Sequence, residues 1–455
     1  MNETKEQALK SLVELIKIES TLSASKPGAP YGEEIKKALD FTLDLLASFG
    51  GKTHNLDGYC GWADFGEGEP FGILVHLDVV PASGVWKFPP FSGTVSDGYV
   101  YGRGATDDKG PAIAVIYALK KLIEEGLTPK RKIRVILGCD EESGWSDIKK
   151  YNEVEEMPND GFSPDGDFPV IYSEKGVLHL QLHLKKPASF LTFTGGTAVN
   201  MVPDLAQITV AFDEKILHSA LQMGLPTTLT GDSMLESLAH QLEGACVTED
   251  DHIQITANGT SAHGSRPEDG ESAILILLKC LHLSGASEDG TRLYNLFGKT
   301  DGSGLNLKVD GGAEGGLTVN VGKCKIKDNE LILRVDIRHP ASITKEEVLE
   351  RLEKSIPEIN EINIINYHDP LYVNPNSPFV QTLLKAYQKV TGDTQSQPKA
   401  IGGATYARVL KNGVAFGPTM PGAESLAHQP NERVSIKDFN TMIDIYYEAL
   451  KSLLF

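Results

Sequence analysis

Two short apolar runs constrain the fold of this chain more than any other feature of its sequence. They cover residues 71–77 and 133–139, and a helical pattern over about 112–125 lies between them. Neither run alternates with polar residues. Continuous apolar runs of this length are typical of strands buried on both faces, as in a parallel or mixed sheet covered by helices. The first third of the chain is therefore predicted to be an α/β domain with a mixed, mostly parallel sheet.

The hydrophobic pattern changes after about residue 177. Residues 177–184 alternate strictly between apolar and other side chains, and the alternation returns at 207–212 and 331–337. A period of two predicts half-exposed antiparallel strands, so we expect a second domain of the α+β class here. The expected organisation is a first domain in two parts, 1–177 and 371–455, with an inserted domain at 178–370.

One internal similarity lies within the expected inserted domain. Residues 195–203 read GGTAVNMVP and residues 315–322 read GGLTVNVG, and each segment precedes a strand-like run. A duplicated unit would explain the similarity, but two short matches also arise by chance. An internal duplication of this domain is left open.

Charge argues against some classes of partner. The 455 residues include 43 Lys and Arg against 62 Asp and Glu, which gives a net charge of −19. Such an acidic surface repels phosphate backbones and anionic lipid headgroups, so we expect neither nucleic acid nor a membrane as a partner. No apolar stretch approaches the ~20 residues that a membrane helix needs.

The N-terminus and the cysteines point to the cytoplasm. The first residues are charged and lack the apolar core and cleavage site of a secretory signal. The cysteines are odd in number and form no Cys-x-x-Cys pair, which favours reduced, structural thiols. They are Cys60, Cys139, Cys246, Cys280 and Cys324.

Charged side chains follow both apolar runs at the points where the predicted strands end. His76 and Asp78 end the first run, and Asp140, Glu141 and Glu142 follow the second. Side chains two apart on a strand share a face, and ligands of open α/β sheets bind outside the carboxyl ends of strands. Adjacent acids at a buried strand end repel one another, and a cation would compensate them. Taken alone, each pattern would also fit a structural ion pair or a solvated acidic surface.

Three further segments carry candidate ligands. They are Asp107 with Asp108 in YGRGATDDKGP, Asp165 in SPDGDFP and His428 in LAHQPNE. The first is not a phosphate loop, because neither a third glycine nor a Lys-Ser/Thr pair follows at the required spacing. Two imidazoles and several carboxylates suit Zn²⁺ or Mn²⁺, and one carboxylate can bridge two ions, although spacing alone does not show that the segments meet. The candidate ligands are His76, Asp107, Glu142, Asp165 and His428, with Asp78 and Glu141 beside them.

A series of motifs, in order along most of the chain, resembles one enzyme family. They read VHLDVVPASGVWKFPPF, SDGYVYGRGATDDKGP, DEESGW, SPDGDFPVI, GGTAVNMVPD, SAHGSRP, VDIRHP, GGATYAR and HQPNE. The chain thereby resembles the co-catalytic metallopeptidases that include aminoacylases, carboxypeptidase G and carnosinase-like dipeptidases. The paired Asp107 and Asp108 and the long inserted domain most resemble the bacterial PepV-type dipeptidases, which act on dipeptides with a free N-terminus.

The resemblance implies roles for the candidate residues. His76 and Asp165 would hold one divalent ion, Glu142 and His428 would hold the other, and Asp107 would bridge them. The expected ions are Zn²⁺ or, as a second choice, Mn²⁺. Asp78 would orient His76, Glu141 would act as the general base, and the peptide bond between Asp107 and Asp108 is expected to be cis. The residues concerned are His76, Asp78, Asp107, Asp108, Glu141, Glu142, Asp165 and His428.

The inserted domain resembles the lid of these enzymes. By that resemblance Asn200 and His263 would stabilise the tetrahedral oxyanion, Arg338 would bind the terminal carboxylate of the substrate, and the protein would be a monomer. An N-acyl- or N-succinyl-amino-acid deacylase with the same chemistry is the alternative. A catalytically inactive metal-binding or scaffold protein is a third reading, and it would require that the base or a ligand be lost.

Overall fold

The computed structural model of the protein describes residues 3–230, 251–424 and 426–455 and divides the chain into two compact units. Unit 1 comprises Met1–Glu174 and Leu371–Phe455, and unit 2 comprises Lys175–Pro370. Cys246 lies outside the described residues, whereas the other four cysteines are buried thiols. Over the described ranges, no helix has both the length and the apolar character that crossing a membrane requires.

The described part of unit 1 contains both helices and strands, and that of unit 2 consists mostly of strands. The helices are α1 (Glu3–Ile16), α2 (Glu33–Ser48), α3 (Lys109–Glu124), α4 (Ser146–Tyr151), α5 (Glu214–Gln222), α6 (Ala273–Ser284), α7 (Glu288–Phe297), α8 (Lys345–Ser355), α9 (Pro378–Thr391) and α10 (Ile436–Leu454). The strands are β1 (Lys52–Leu56), β2 (Cys60–Phe65), β3 (Phe71–His76), β4 (Thr94–Ser96), β5 (Tyr99–Tyr101), β6 (Ile133–Gly138), β7 (Asp160–Ser163), β8 (Ile171–Glu174), β9 (Gly176–Lys185), β10 (Phe190–Gly195), β11 (Leu205–Ala211), β12 (Thr227–Thr230), β13 (His252–Asn258), β14 (Thr318–Lys327), β15 (Glu330–His339), β16 (Ile359–His368), β17 (Leu371–Tyr372), β18 (Lys399–Ile401), β19 (Asn412–Ala415) and β20 (Arg433–Ser435).

Unit 1 is built on a mixed sheet. Its described strands follow the order β1-β2-β6-β3-β7-β19-β8-β17, and β18 pairs with β8. The central strands are parallel, since β3 pairs with β6 and β7, and β7 pairs with β19. The pairs of β1 with β2, β2 with β6 and β17 with β8 are antiparallel. The α/β fold with a mixed sheet is thus confirmed, with parallel pairing concentrated at the centre.

The two apolar runs occupy the middle of this sheet. They form β3 and β6, and every residue of both strands is buried. Helix α3 connects the neighbouring strands, and α1 and α10 pack against it. Because α3 is covered on several sides, its residues 109–119 are all buried, which is why the helix has little polar surface.

Unit 2 contains an antiparallel sheet. Its described strands follow the order β12-β13-β11-β10-β14-β15-β9-β16. The alternation of residues 177–184 is explained by β9, in which leucines 178, 180, 182 and 184 are buried and the residues between them are partly exposed. His179 and His183 lie on the second face of β9, beside Asp336 and Glu330, as ordinary strand residues.

The two similar segments of unit 2 lie against each other. The side-chain amide of Asn320 donates hydrogen bonds to the carbonyl oxygens of Val199, at 3.1 Å, and Met201, at 2.9 Å. Strands β10 and β14, which adjoin these segments, also pair with each other. An internal duplication of the unit stays a prediction.

Candidate metal centre

The candidate site lies where the parallel strands of unit 1 end. His76 is the last residue of β3, Glu142 follows β6, and Asp165 follows β7. Since β6 and β7 flank β3 in parallel, their carboxyl ends meet at one edge of the sheet. Asp107 joins them from the loop before α3, and His428 joins them from the segment between β19 and β20.

The predicted ligands form two triads that share Asp107. In one triad, His76 Nε2 lies 3.0 Å from Asp107 Oδ1 and 3.8 Å from Asp165 Oδ2. In the other, His428 Nε2 lies 3.0 Å from both Asp107 Oδ2 and Glu142 Oε1. The donor atoms of each triad lie within 4.8 Å of one another. Each oxygen of the Asp107 carboxylate therefore faces a different histidine, as a bridging ligand requires.

The hydrogen bonds of His76 define which ring nitrogen faces the site. Its Nδ1 lies 3.0 Å from the carbonyl oxygen of Asp78. A carbonyl can only accept, so Nδ1 carries the hydrogen and the lone pair of neutral His76 is on Nε2. That lone pair faces Asp107 Oδ1, a second acceptor, at 3.0 Å. Only a proton or a cation between the two atoms makes this contact favourable.

Burial and the nearby negative charges raise the pKa values of three carboxyl groups at the site, those of Asp165, Glu142 and Glu141. Burial, together with the charges of Asp107 and Glu142, raises the pKa of Asp165 to about 7. Burial is also the largest cause that raises the pKa of Glu142, and it raises that of Glu141 well above its ordinary value. The site therefore concentrates negative charge that the described side chains around it do not fully neutralise.

The pKa values of the two imidazoles are raised as well. Burial on its own would lower the pKa of His428, but hydrogen bonds to Asp107 and Glu142 raise it to about 11. For His76, burial again opposes and the hydrogen bonds to Asp107 and Asp78 prevail, so its pKa is raised well above the usual value. Each triad thus favours a positive charge between the imidazole and the carboxylates, and this donor set of nitrogen and oxygen fits a divalent cation.

Asp78 organises the loop that carries Glu141 and Glu142. Its buried carboxylate accepts the backbone N–H of Glu141 through Oδ1, at 3.2 Å, and that of Glu142 through Oδ2, at 3.0 Å. Asp78 Oδ1 also lies 3.5 Å from His76 Nδ1. One carboxylate therefore connects the ends of β3 and β6. This contact is additional to the orienting effect on His76 that the family resemblance implies.

Asp108 forms a hydrogen bond to the end of β3. The peptide bond between Asp107 and Asp108 is cis, as expected. The fully buried carboxyl group of Asp108 accepts the backbone N–H of His76 at 3.2 Å, and burial raises its pKa well above its ordinary value. Asp108 thus contacts the backbone of a candidate ligand although it belongs to neither triad.

Glu432 adjoins the site, which was not expected from the sequence. This glutamate is fully buried, and its Oε1 accepts the backbone N–H groups of Thr106, at 2.9 Å, and Asp107, at 3.2 Å. Its Oε2 accepts a hydrogen bond from Arg103 Nη1 at 2.7 Å. Glu432 thereby fixes the backbone of the shared ligand. The signal that could have found it is its place in HQPNE, four residues after His428.

In unit 2 the segments of Asn200 and His263 are neighbours. The carbonyl oxygen of Asn200 accepts the N–H of Gly264 at 2.7 Å. His263 is exposed, and its Nδ1 accepts the backbone N–H of Ser265 at 3.1 Å. In a neutral ring the hydrogen is then on Nε2, which is the donor atom of the ring.

Arg338 is engaged within unit 2. Its Nε and Nη2 pair with the carboxylate of Asp336 at 2.8 and 3.1 Å, and both residues are buried on β15. Asp336 also lies next to Gly264, because a Cβ atom at that glycine would be 2.5 Å from Asp336 Oδ2. The structure thus brings the backbone of the three predicted substrate-binding residues into one region of unit 2, with Arg338 held by an internal carboxylate.

Comparison with known proteins identifies the family. The model of peptidase family M20/M25/M40 matches residues 72–452. The chain is 33% identical to a Bacillus subtilis protein named "Putative dipeptidase YtjP", and the match covers 99% of this chain and 97% of that protein. The resemblance expected from the motifs is confirmed.

Solved structures of this fold also match nearly the whole chain. An M20 family metallo-carboxypeptidase from Sulfolobus solfataricus is 20% identical, with a TM-score of 0.58 and 99% of each chain covered. Human carnosine dipeptidase 1 is 16% identical, with a TM-score of 0.53, and covers 98% of this chain and 96% of its own. At such low identity, these likenesses establish the fold alone.

Proposed function

Because this chain belongs to peptidase family M20/M25/M40, and is therefore a peptidase, we propose that it is a dipeptidase that works with two divalent ions. Its substrates are dipeptides with a free N-terminus. The observation that carries the proposal is the geometry of Asp107, whose two carboxylate oxygens each face one histidine. The relative named as a dipeptidase supports the substrate class.

The five side chains of the two triads are the proposed metal ligands. His76 and Asp165 would hold one ion, Glu142 and His428 would hold the other, and Asp107 would bridge them. When bound, such ions polarise the scissile carbonyl and lower the pKa of a water molecule toward neutrality. The mixture of imidazole and carboxylate donors favours Zn²⁺, with Mn²⁺ as the second choice.

Glu141 is the proposed general base. Its carboxylate belongs to neither triad, although Glu142 beside it does. Asp78 accepts the backbone N–H groups of both residues and so fixes the backbone from which the two side chains extend. Glu141 would take a proton from the attacking water and transfer it to the leaving amine.

Unit 2 would supply the contacts to the substrate. We propose that His263 donates its Nε2 hydrogen to the oxyanion and that Asn200 assists it. Arg338 would bind the terminal carboxylate, in which case a carboxylate of the substrate competes with Asp336 for the guanidinium group or shares it. The monomeric state and the cytoplasmic location stay predictions.

An N-acyl- or N-succinyl-amino-acid deacylase is the alternative, because the metal chemistry of the two reactions is the same. They differ in whether the enzyme accepts a free ammonium or an acyl group at the position before the scissile bond. The third reading, an inactive metal-binding protein, has no support in the sequence, because all five ligands and the base are present.

A matched substrate panel tests the proposal. We expect cleavage of Leu-Ala and β-Ala-His by the metal-loaded protein. Rates should be at least about 100-fold lower for N-acetyl-leucine and N-acetyl-Leu-Ala, because a site that pairs with a free ammonium rejects compounds that lack it. Amino acid release measured by chromatography provides the rates. Preferential cleavage of the acylated compounds would replace the dipeptidase by the deacylase, and failure to cleave any compound would favour the inactive protein.

A further inference from the structure

Tyr406, in the motif GGATYAR, is neither a proposed metal ligand nor the proposed base. It lies at the start of a short 3₁₀ turn, Tyr406–Val409, and is buried to 1% exposure. Its hydroxyl donates a 2.6 Å hydrogen bond to Oδ2 of Asp147, which is also fully buried. The tyrosine thus connects the C-terminal part of unit 1 to the segment that follows β6.

Asp147 holds the backbone directly before the proposed base. Its Oδ2 accepts the N–H groups of Cys139, at 2.7 Å, and Asp140, at 3.2 Å. The next two N–H groups, those of Glu141 and Glu142, are accepted by Asp78. Two carboxylates therefore accept four consecutive backbone N–H groups. These hydrogen bonds fix the conformation of the backbone through residues 139–142.

The ring of Tyr406 packs against the same segment. Gly138, the last residue of β6, lies so close that a Cβ atom there would be 2.3 Å from Tyr406 Cε2. The ring also meets Trp145 edge to face, with centroids 5.1 Å apart. Trp145 in turn donates from Nε1 to the carbonyl oxygen of Glu141 at 2.9 Å. Tyr406 thus contacts residues on both sides of Glu141.

The hydroxyl of Tyr406 also supports the charge of Asp147. Burial raises the pKa of Asp147 to about 7, and the hydrogen bond from Tyr406 opposes that shift. Asp147 Oδ1 accepts the N–H of Ile148 at 2.7 Å. The carboxylate is thus the acceptor in four hydrogen bonds, three from backbone N–H groups and one from the Tyr406 hydroxyl. An ionised carboxylate can accept all of these hydrogen bonds, whereas a protonated carboxyl group would have fewer acceptor positions.

We propose that Tyr406 is a positioning residue that acts on the general base Glu141 through Asp147. The proposal rests on the proposed function, because it requires Glu141 to be the base. A general base works only when its carboxylate lies within hydrogen-bonding reach of the attacking water, and small displacements are costly. By holding Asp147, Tyr406 keeps the strand end and hence the Glu141 side chain in that place.

The test is Tyr406→Phe, which keeps the ring and removes the hydroxyl. We expect kcat for Leu-Ala to fall about 10-fold, because the base is displaced slightly rather than removed. KM and the metal content are expected to change by less than about 2-fold, since no substrate contact or ligand is altered. Tyr151→Phe is the matched control, because Tyr151 is equally buried but its hydroxyl accepts from Arg134 Nη1, at 2.9 Å, rather than contacting the base loop.

A double-mutant cycle separates positioning from general stability. Tyr406→Phe is combined with Glu141→Ala, and kcat of all four proteins is compared. If Tyr406 acts through Glu141, the added Tyr406→Phe change leaves the residual rate of Glu141→Ala unaltered. A further 10-fold loss in that background, an equal loss in Tyr151→Phe, or an unchanged kcat in Tyr406→Phe would each overturn the proposal. Absence of dipeptide cleavage by the unmodified protein would instead refute the proposed function, so the two failures are distinct.

Discussion

Glu141→Gln is expected to lower kcat for dipeptide hydrolysis by about 10³-fold, within the range usual for loss of a general base. The amide has nearly the same shape as the carboxylate but cannot take a proton from water. Because Glu141 belongs to neither triad, the variant should retain its metal ions and its KM. Steady-state kinetics on Leu-Ala, together with metal content measured by mass spectrometry, provide the check.

Glu142→Gln is the natural comparison, since it changes the adjacent acid in the same loop. Glu142 Oε1 lies 3.0 Å from His428 Nε2, and we expect this variant to lose affinity for metal by about 10-fold or more. High metal concentration should then restore part of its activity, whereas it should not restore Glu141→Gln. Normal turnover by Glu141→Gln would remove this residue from the role of base.

Removal of metal is expected to lower the melting temperature by roughly 10 °C. A ligand present at about 1,000 times its Kd stabilises the folded state by about 4 kcal/mol, and each kcal/mol corresponds to roughly 2–4 °C in a domain of this size. The crowded carboxylates of Asp107, Glu142 and Asp165 are the physical reason, because the cation offsets their repulsion. Calorimetry before and after chelation measures the change.

Asp107→Ala is the control for that experiment. The substitution removes the carboxylate shared by the two triads, so this variant should bind neither ion well. Its melting temperature should then be the same with and without a chelator. An unchanged melting temperature of the unmodified protein after confirmed metal loss would count against a clustered site, and a chelator effect in Asp107→Ala would show that stabilising metal binds elsewhere.

The central strands and the candidate ligands could be predicted because their signals are local. Residues 71–77 and 133–139 are apolar except for His76 and Arg134, which is enough to identify β3 and β6. The acids and the histidine that follow them lie at strand ends, where ligands bind. That His428 joins the same site could not be derived from spacing, and it depended on the resemblance to the family.

Other features depend on contacts between distant parts of the chain. Glu432 is important because it accepts the N–H groups of Thr106 and Asp107, and backbone groups leave no trace in the sequence. Strand β17, at one antiparallel edge of the unit 1 sheet, was missed because it is only two residues long and carries no periodic pattern. In contrast, the pair of Asp336 with Arg338 was foreseeable, because residues two apart on a strand share a face.

Restoration of activity by metal tests the central claim most directly. Chelated protein is titrated with Zn²⁺ or Mn²⁺ while the hydrolysis of Leu-Ala is followed and bound metal is counted. The two triads that share Asp107 predict no hydrolysis without metal and full hydrolysis when two ions are bound per chain. Undiminished hydrolysis by metal-free protein, or full recovery with a single ion per chain, would contradict the two-metal dipeptidase.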